Sequence, residues 1–140
     1  MSPTYSSVWI HLVWATKKRQ PLIHYKLKKP LYDKMREIAD EKDFRLDFIN
    51  GMHDHVHLLV SIEPKYSISQ IVQYLKGISS NWANKSGLSE EYFEWQDGFS
   101  AFSVSPTQLY TVREYIKNQE EHHKETSFED ELKSIKELLE

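Results

Sequence analysis

The sequence has no cysteine, which excludes disulfide frameworks, zinc–thiolate sites and thiol nucleophiles together. It has no run of eighteen apolar residues, so no membrane-spanning helix and no membrane partner are expected. Met1 to Tyr5 lack the charged-then-apolar pattern of a secretion signal, and a cytoplasmic location is the expectation. No repeat, low-complexity tract or Gly/Ser linker divides the 140 residues, so residues 1–140 read as one domain.

What is present is unevenly charged. The net charge is −3, which by itself argues against a nucleic-acid partner, but the average hides a gradient. Residues 1–36 hold Lys17, Lys18, Arg19, Lys26, Lys28, Lys29, Lys34 and Arg36 against the single acid Asp33. Residues 120–140 hold eight acids against three lysines. An acidic tail can mask a basic surface in the total, so the asymmetry carries more information than the sum. Both runs also suit plain solvated faces.

Val8 to Trp14 is too apolar and β-branched for a loop, and reads as a buried strand stopped by the basic stretch Lys17-Lys18-Arg19. A helix is predicted from near Pro30, with Leu31, Met35, Ile38 and Ala39 as its apolar stripe. Phe44 to Asn50 alternates, with Phe44, Leu46 and Phe48 set against Arg45, Asp47 and Ile49. After a short turn at 51–54, His55 to Ile62 forms a second apolar strand. Ser67, with Gln70 three residues on, predicts a capping box for a helix whose stripe is Ile68, Ile71, Val72, Leu75, Ile78 and Trp82, closed by Gly87. Phe99 to Val104 is a short strand. Ser105, Pro106 and Gln108 predict a capped helix running to about His123. Leu132, Ile135, Leu138 and Leu139 suggest a last helix in an acidic tail at about 124–140. The order β-α-β-β-α-β is the split βαβ arrangement, ferredoxin-like or RRM-like: an α+β fold with an antiparallel sheet and two helices on one face. The opposite face is free for a site.

His55-Val56-His57 lies on the second apolar strand. Val56, Leu58, Val60 and Ile62 form one aliphatic row that packs beneath the helices, so His55 and His57 project from the open face, roughly 7 Å apart along the strand. Two imidazoles there can converge on one cation, although a metal needs a third ligand. They can also be sheet-surface residues without one. On the helix after Ser105, Tyr115 and Gln119 stand one above the other, which suits either a functional pair or an ordinary half-buried tyrosine. Tyr110 sits about 140° around that helix and cannot share the row. His122 and His123 are further ligand candidates, or exposed residues near a helix C-terminus. His11 lies either on the same open face or in an ordinary sheet position.

Four blocks occur in an order that resembles the single-tyrosine HUH transposases of small bacterial insertion sequences and their REP-associated relatives. They are Trp14 to Arg19, Met52 to Leu59, Leu75 to Ser80, and Phe99 to Ser105 followed by Val112 to Gln119. The resemblance implies a DNA transposase that cleaves and rejoins single-stranded DNA at hairpin-marked ends through a covalent 5′-phosphotyrosine intermediate. It implies Tyr115 as nucleophile and His55, His57 and Gln119 as holders of a divalent ion, Mg²⁺ or Mn²⁺. It also implies a homodimer, commonly with sites shared between chains. Lys17, Lys18 and Arg19, with Arg45 and Lys76 as lesser candidates, are expected to hold DNA phosphates. Two other readings share the topology: a non-catalytic single-stranded nucleic-acid-binding module that stacks bases on sheet aromatics, and a domesticated relative acting on host repeats.

Overall fold

A computed structural model describes residues 3–119 and 128–139. Strands β1 (Trp9–Ala15), β2 (Arg45–Gly51), β3 (His55–Ser61) and β4 (Ser100–Val104) form one antiparallel sheet in the order β2-β3-β1-β4. Helices α1 (Tyr25–Glu41) and α2 (Ile68–Lys85) pack on one face, α3 (Leu109–Lys117) on the other, and α4 (Phe128–Leu139) follows. This is the α+β split arrangement that the apolar periodicities predict.

The two faces have separate cores. Ile10, Leu12 and Trp14 of β1 and Val56, Leu58 and Val60 of β3 meet Leu27, Leu31, Met35, Ile71 and Leu75 of the first two helices. On the other face Leu59, Val104 and Ile116 are buried together, with Trp9, Phe48, Leu109 and Val112 against them. The period of two along β3 sends the aliphatic row one way and both histidines the other.

Three local expectations are corrected. First, α1 begins at Tyr25, more than a turn before Pro30, which lies inside the helix. Proline cannot donate to the carbonyl four residues back, but burial of Leu27 alongside Leu31 keeps the extra turn in place. Second, the alternation of β2 is broken by a bulge between Leu46 and Phe48. The extra residue reverses the faces, so Phe44 and Leu46 join the α1/α2 core, Phe48 joins the opposite one, and Ile49 takes the vacated inward position. Third, no capping box forms at Ser105. Pro106–Gln108 is a 3-10 turn, and the Ser105 hydroxyl lies 2.9 Å from Thr107 Oγ1 instead of capping a backbone N–H. Helix α3 therefore starts at Leu109 and ends at Lys117, well before His123, because Asn118 leaves helical geometry at φ −96°, ψ 29°. His122 and His123 lie outside the described residues.

The Ser67 box does form: its Oγ accepts from the Gln70 N–H at 3.1 Å, and Gln70 Oε1 accepts from the Ser67 N–H at 2.8 Å. One glycine decides where the histidine strand begins. At Gly51 a Cβ would lie 2.2 Å from the His55 carbonyl oxygen, so only glycine lets the β2–β3 connection close this tightly. The turn that follows is fastened by the Thr16 N–H donating to the Asp54 carbonyl and the Ile23 N–H to the His53 carbonyl, both at 2.9 Å.

Candidate active site

His55 and His57 are fully buried and lean together on the open face, with ring centroids 5.2 Å apart. Each ring is held at its Nδ1. The Asp54 carboxylate accepts from His55 Nδ1 at 2.7 Å, and His57 Nδ1 shares a 2.9 Å hydrogen bond with His11 Nε2. His11 is thus on the open face. Such partners fix ring orientation and tautomer, as outer-shell groups do behind metal-binding imidazoles. Burial, and then the neighbouring His57, lower the His11 pKa to about 3 against an opposing pull from Glu131, so His11 is neutral. Burial also pulls on His55, but hydrogen bonds and charge from Asp54 and Glu131 raise its pKa above the ordinary value.

Helix α3 brings Tyr115 over this pair. Its ring centroid is 5.8 Å from that of His57 and 6.2 Å from that of His11. The helix is fixed to the sheet of its own chain at three points: Ile116 packs under it, Arg113 Nε donates to Asp47 Oδ2 at 2.5 Å, and Asn50 Nδ2 donates to the Lys117 carbonyl at 3.0 Å. The bulge in β2 sets the facing of the segment that bears Asp47. Tyr110, by contrast, is 72% exposed. Gln119, just beyond the helix end, is buried, with Oε1 3.3 Å from His55 Nε2 and Nε2 donating to the Tyr115 carbonyl at 3.3 Å.

The sequence reading missed Glu131. This α4 residue is 3% exposed. Its Oε1 lies 2.9 Å from His57 Nε2, its Oε2 3.5 Å from His55 Nε2, and the Tyr115 hydroxyl donates to Oε1 at 2.5 Å. Burial works against the Glu131 charge, but hydrogen bonds from His55, His57 and Tyr115 hold its carboxyl well below the usual carboxylate range. Burial, then Glu131, raise the Tyr115 phenol far above its ordinary pKa, with only a small opposing effect from Gln119. One donor atom from each of His55, His57 and Glu131 lies within 4.8 Å of the others, a grouping able to hold a metal ion. The available signal was positional: Glu131 precedes Ile135 by four residues and so shares its buried row.

The basic candidates divide. Lys17, Lys18 and Arg19 form a turn at the end of β1, where Ala15 pairs with His55, and Lys18 and Arg19 are exposed at positive φ. Arg45 pairs with Ser61 at the other end of β3 and lies over the Trp9 ring while bonding Asp47. The Lys76 ammonium donates to the Gln96 and Gly98 carbonyls at 2.6 and 2.9 Å, fastening the loop before β4.

Residues 4–119 match the family described as IS200-like transposases. The chain belongs to that family. DNA strand cleavage and transfer is therefore the class of activity this membership supports. The transposase is 30% identical over 120 residues to the ISDra2 transposase TnpA of Deinococcus radiodurans, covering 82% of this chain and 84% of the relative. It is 29% identical over 119 residues to the transposase for insertion sequence element IS200 of Salmonella typhimurium, covering 81% and 78% of the two chains. Among solved structures, a candidate transposase from Deinococcus radiodurans R1 superposes with a TM-score of 0.67 at 26% identity, over 85% of this chain and 95% of that one. A REP-associated tyrosine transposase bound to a REP hairpin gives 0.61 at 18% identity, over 88% and 74%, a likeness of fold alone. Among the described residues no helix is long and apolar enough to cross a membrane.

Proposed function

We propose that this transposase cleaves and rejoins single-stranded DNA at hairpin-marked ends, with Tyr115 as the nucleophile and a covalent 5′-phosphotyrosine intermediate. The observation that carries the reading is the phenol of α3 standing over two buried imidazoles, 5.8 Å from His57 between ring centroids. Tyr115 Oη forms the new bond to phosphorus, and the 3′ oxygen of the cut strand leaves as a hydroxyl. The phosphodiester energy is kept in the link, so a later 3′-hydroxyl can reverse the step without a nucleotide cofactor. Until a phosphate is in place, burial and Glu131 keep the phenol protonated.

The donor set fits a divalent cation. Both Nε2 atoms are on the side of Gln119 and Glu131, while both Nδ1 atoms are engaged behind. His55, His57 and Gln119 would hold Mg²⁺ or Mn²⁺, which when bound supplies Lewis-acid polarisation of the scissile phosphate. Lys17, Lys18 and Arg19 hold backbone phosphates entering at the His55 end of the sheet. The protein acts in the cytoplasm as a homodimer. The packing of α3 on its own sheet favours each chain serving its own histidines. A base-stacking module has less support, since α3 covers the face on which bases would lie.

The test is incubation with hairpin-bearing single-stranded DNA and Mn²⁺, followed by denaturing electrophoresis. A covalent protein–DNA adduct is expected from the natural chain and none from Tyr115→Phe, with DNA binding retained. An adduct that survives Tyr115→Phe overturns the assignment.

A further inference from the structure

One charged side chain at the site belongs to none of the motifs described above. Glu131 stands on α4, beyond residues 4–119 that match the family. A carboxylate 3% exposed is costly to bury unless opposite charge or strong donors surround it. Here it faces the Nε2 atoms of both histidines, at 2.9 Å from His57 and 3.5 Å from His55. The Asp54 and His11 contacts at the Nδ1 atoms hold the rings in that orientation. Gln119 Oε1 joins the group at 3.3 Å from His55 Nε2. An octahedral Mg²⁺ with bonds near 2.0–2.1 Å has neighbouring donors about 3 Å apart; the Glu131–His57, His55–Gln119 and Glu131–His55 contacts, at 2.9, 3.3 and 3.5 Å, come near that spacing.

We propose that Glu131 is a fourth protein ligand of the divalent cation, and the one that sets its affinity. The inference rests on the metal-assisted reading above. Two imidazoles and a carboxamide are neutral donors, whereas Mg²⁺ and Mn²⁺ favour charged oxygen. Glu131 supplies the only negative charge in the set of four. It also ties the ion site to the nucleophile, since the Tyr115 hydroxyl donates to the same carboxylate. Helix α4 is thereby an element of the active site, and the acidic C-terminal region contributes a ligand as well as charge.

The test is calorimetric titration of Mn²⁺ into the full chain without DNA, with circular dichroism and melting temperature confirming the fold of each variant. Glu131→Gln should weaken Mn²⁺ binding at least about tenfold, the lower end of what is lost with a supporting residue at a metal site. Gln119→Ala should lose less. Glu131→Asp, which keeps the charge, should bind more tightly than Glu131→Gln and serves if the glutamine variant does not fold. The proposal is overturned if Glu131→Gln binds Mn²⁺ as tightly as the natural chain, or more tightly, since the carboxylate would then be a plug the ion must displace. It also fails if Glu131→Asp is no better than Glu131→Gln. A His55→Ala/His57→Ala chain separates the two levels: if it too binds normally, the metal reading itself falls, whereas its loss beside an unaffected Glu131→Gln removes only the role of Glu131.

Discussion

Asp54 and His11 hold the two imidazoles by their Nδ1 atoms. Asp54→Asn should weaken Mn²⁺ affinity by roughly 10–100-fold, the usual effect of an outer-shell partner, as read by the same titration; an unchanged affinity would show that ring orientation does not depend on it. Tyr110→Phe should leave the covalent adduct intact on a denaturing gel, because that ring is exposed. The shared facing of His55 and His57 was legible from strand periodicity alone, and the nearness of Tyr115 to Gln119 from their spacing of four residues. Asp54 and Glu131 were not. Asp54 reads as a turn residue next to His55, and Glu131 as one acid among many. Only the tertiary placement of α4 distinguishes the buried Glu131 from the exposed Asp130 beside it.

At the scale of elements, the histidine strand depends on the tightness of the β2–β3 connection. Gly51→Ala pushes a methyl group into the His55 carbonyl and should cost about 1–3 kcal/mol, as overpacking does, measured by urea unfolding. Ile116 is the one fully buried side chain of the tyrosine helix. With nine residues α3 is too short to be stable alone, so Ile116→Ala should cost about 2–5 kcal/mol and reduce adduct formation more than DNA binding. Sequence patterning identified every strand among the described residues and the helix that bears Tyr115, but it misjudged the ends. It missed the bulge at Asp47 because alternation alone carries no sign of an inserted residue, and it extended α3 because nothing in Asn118-Gln119 forbids helix. Both misjudged features matter to the site: the bulged segment bears the Asp47 that receives Arg113, and the helix end lets Gln119 turn in beneath Tyr115.

The whole molecule places opposite charges around one site. The Lys17–Arg19 turn lies at the end of β1 beside His55, while α4 brings Glu131 onto the imidazoles. Replacing Lys17, Lys18 and Arg19 by alanine should weaken binding to all single-stranded sequences alike. It should also flatten the log–log salt dependence by about 2, at roughly 0.7 for each phosphate no longer neutralised. An unchanged slope would remove this turn from the DNA path. The charge gradient was visible in the sequence, but its meaning was not, since composition cannot say which acids a fold turns inward. His55 and His57 sit on β3 and His11 on β1, the two inner strands of the sheet, whereas Tyr115 and Glu131 sit on short peripheral helices. In native-state deuterium exchange the amides of β1 and β3 should then open only with global unfolding, and those of α3 and α4 at lower cost. Half of the site is a fixed anvil and half a liftable hammer, a division suited to an enzyme that must sever a strand and then join its end to a different one.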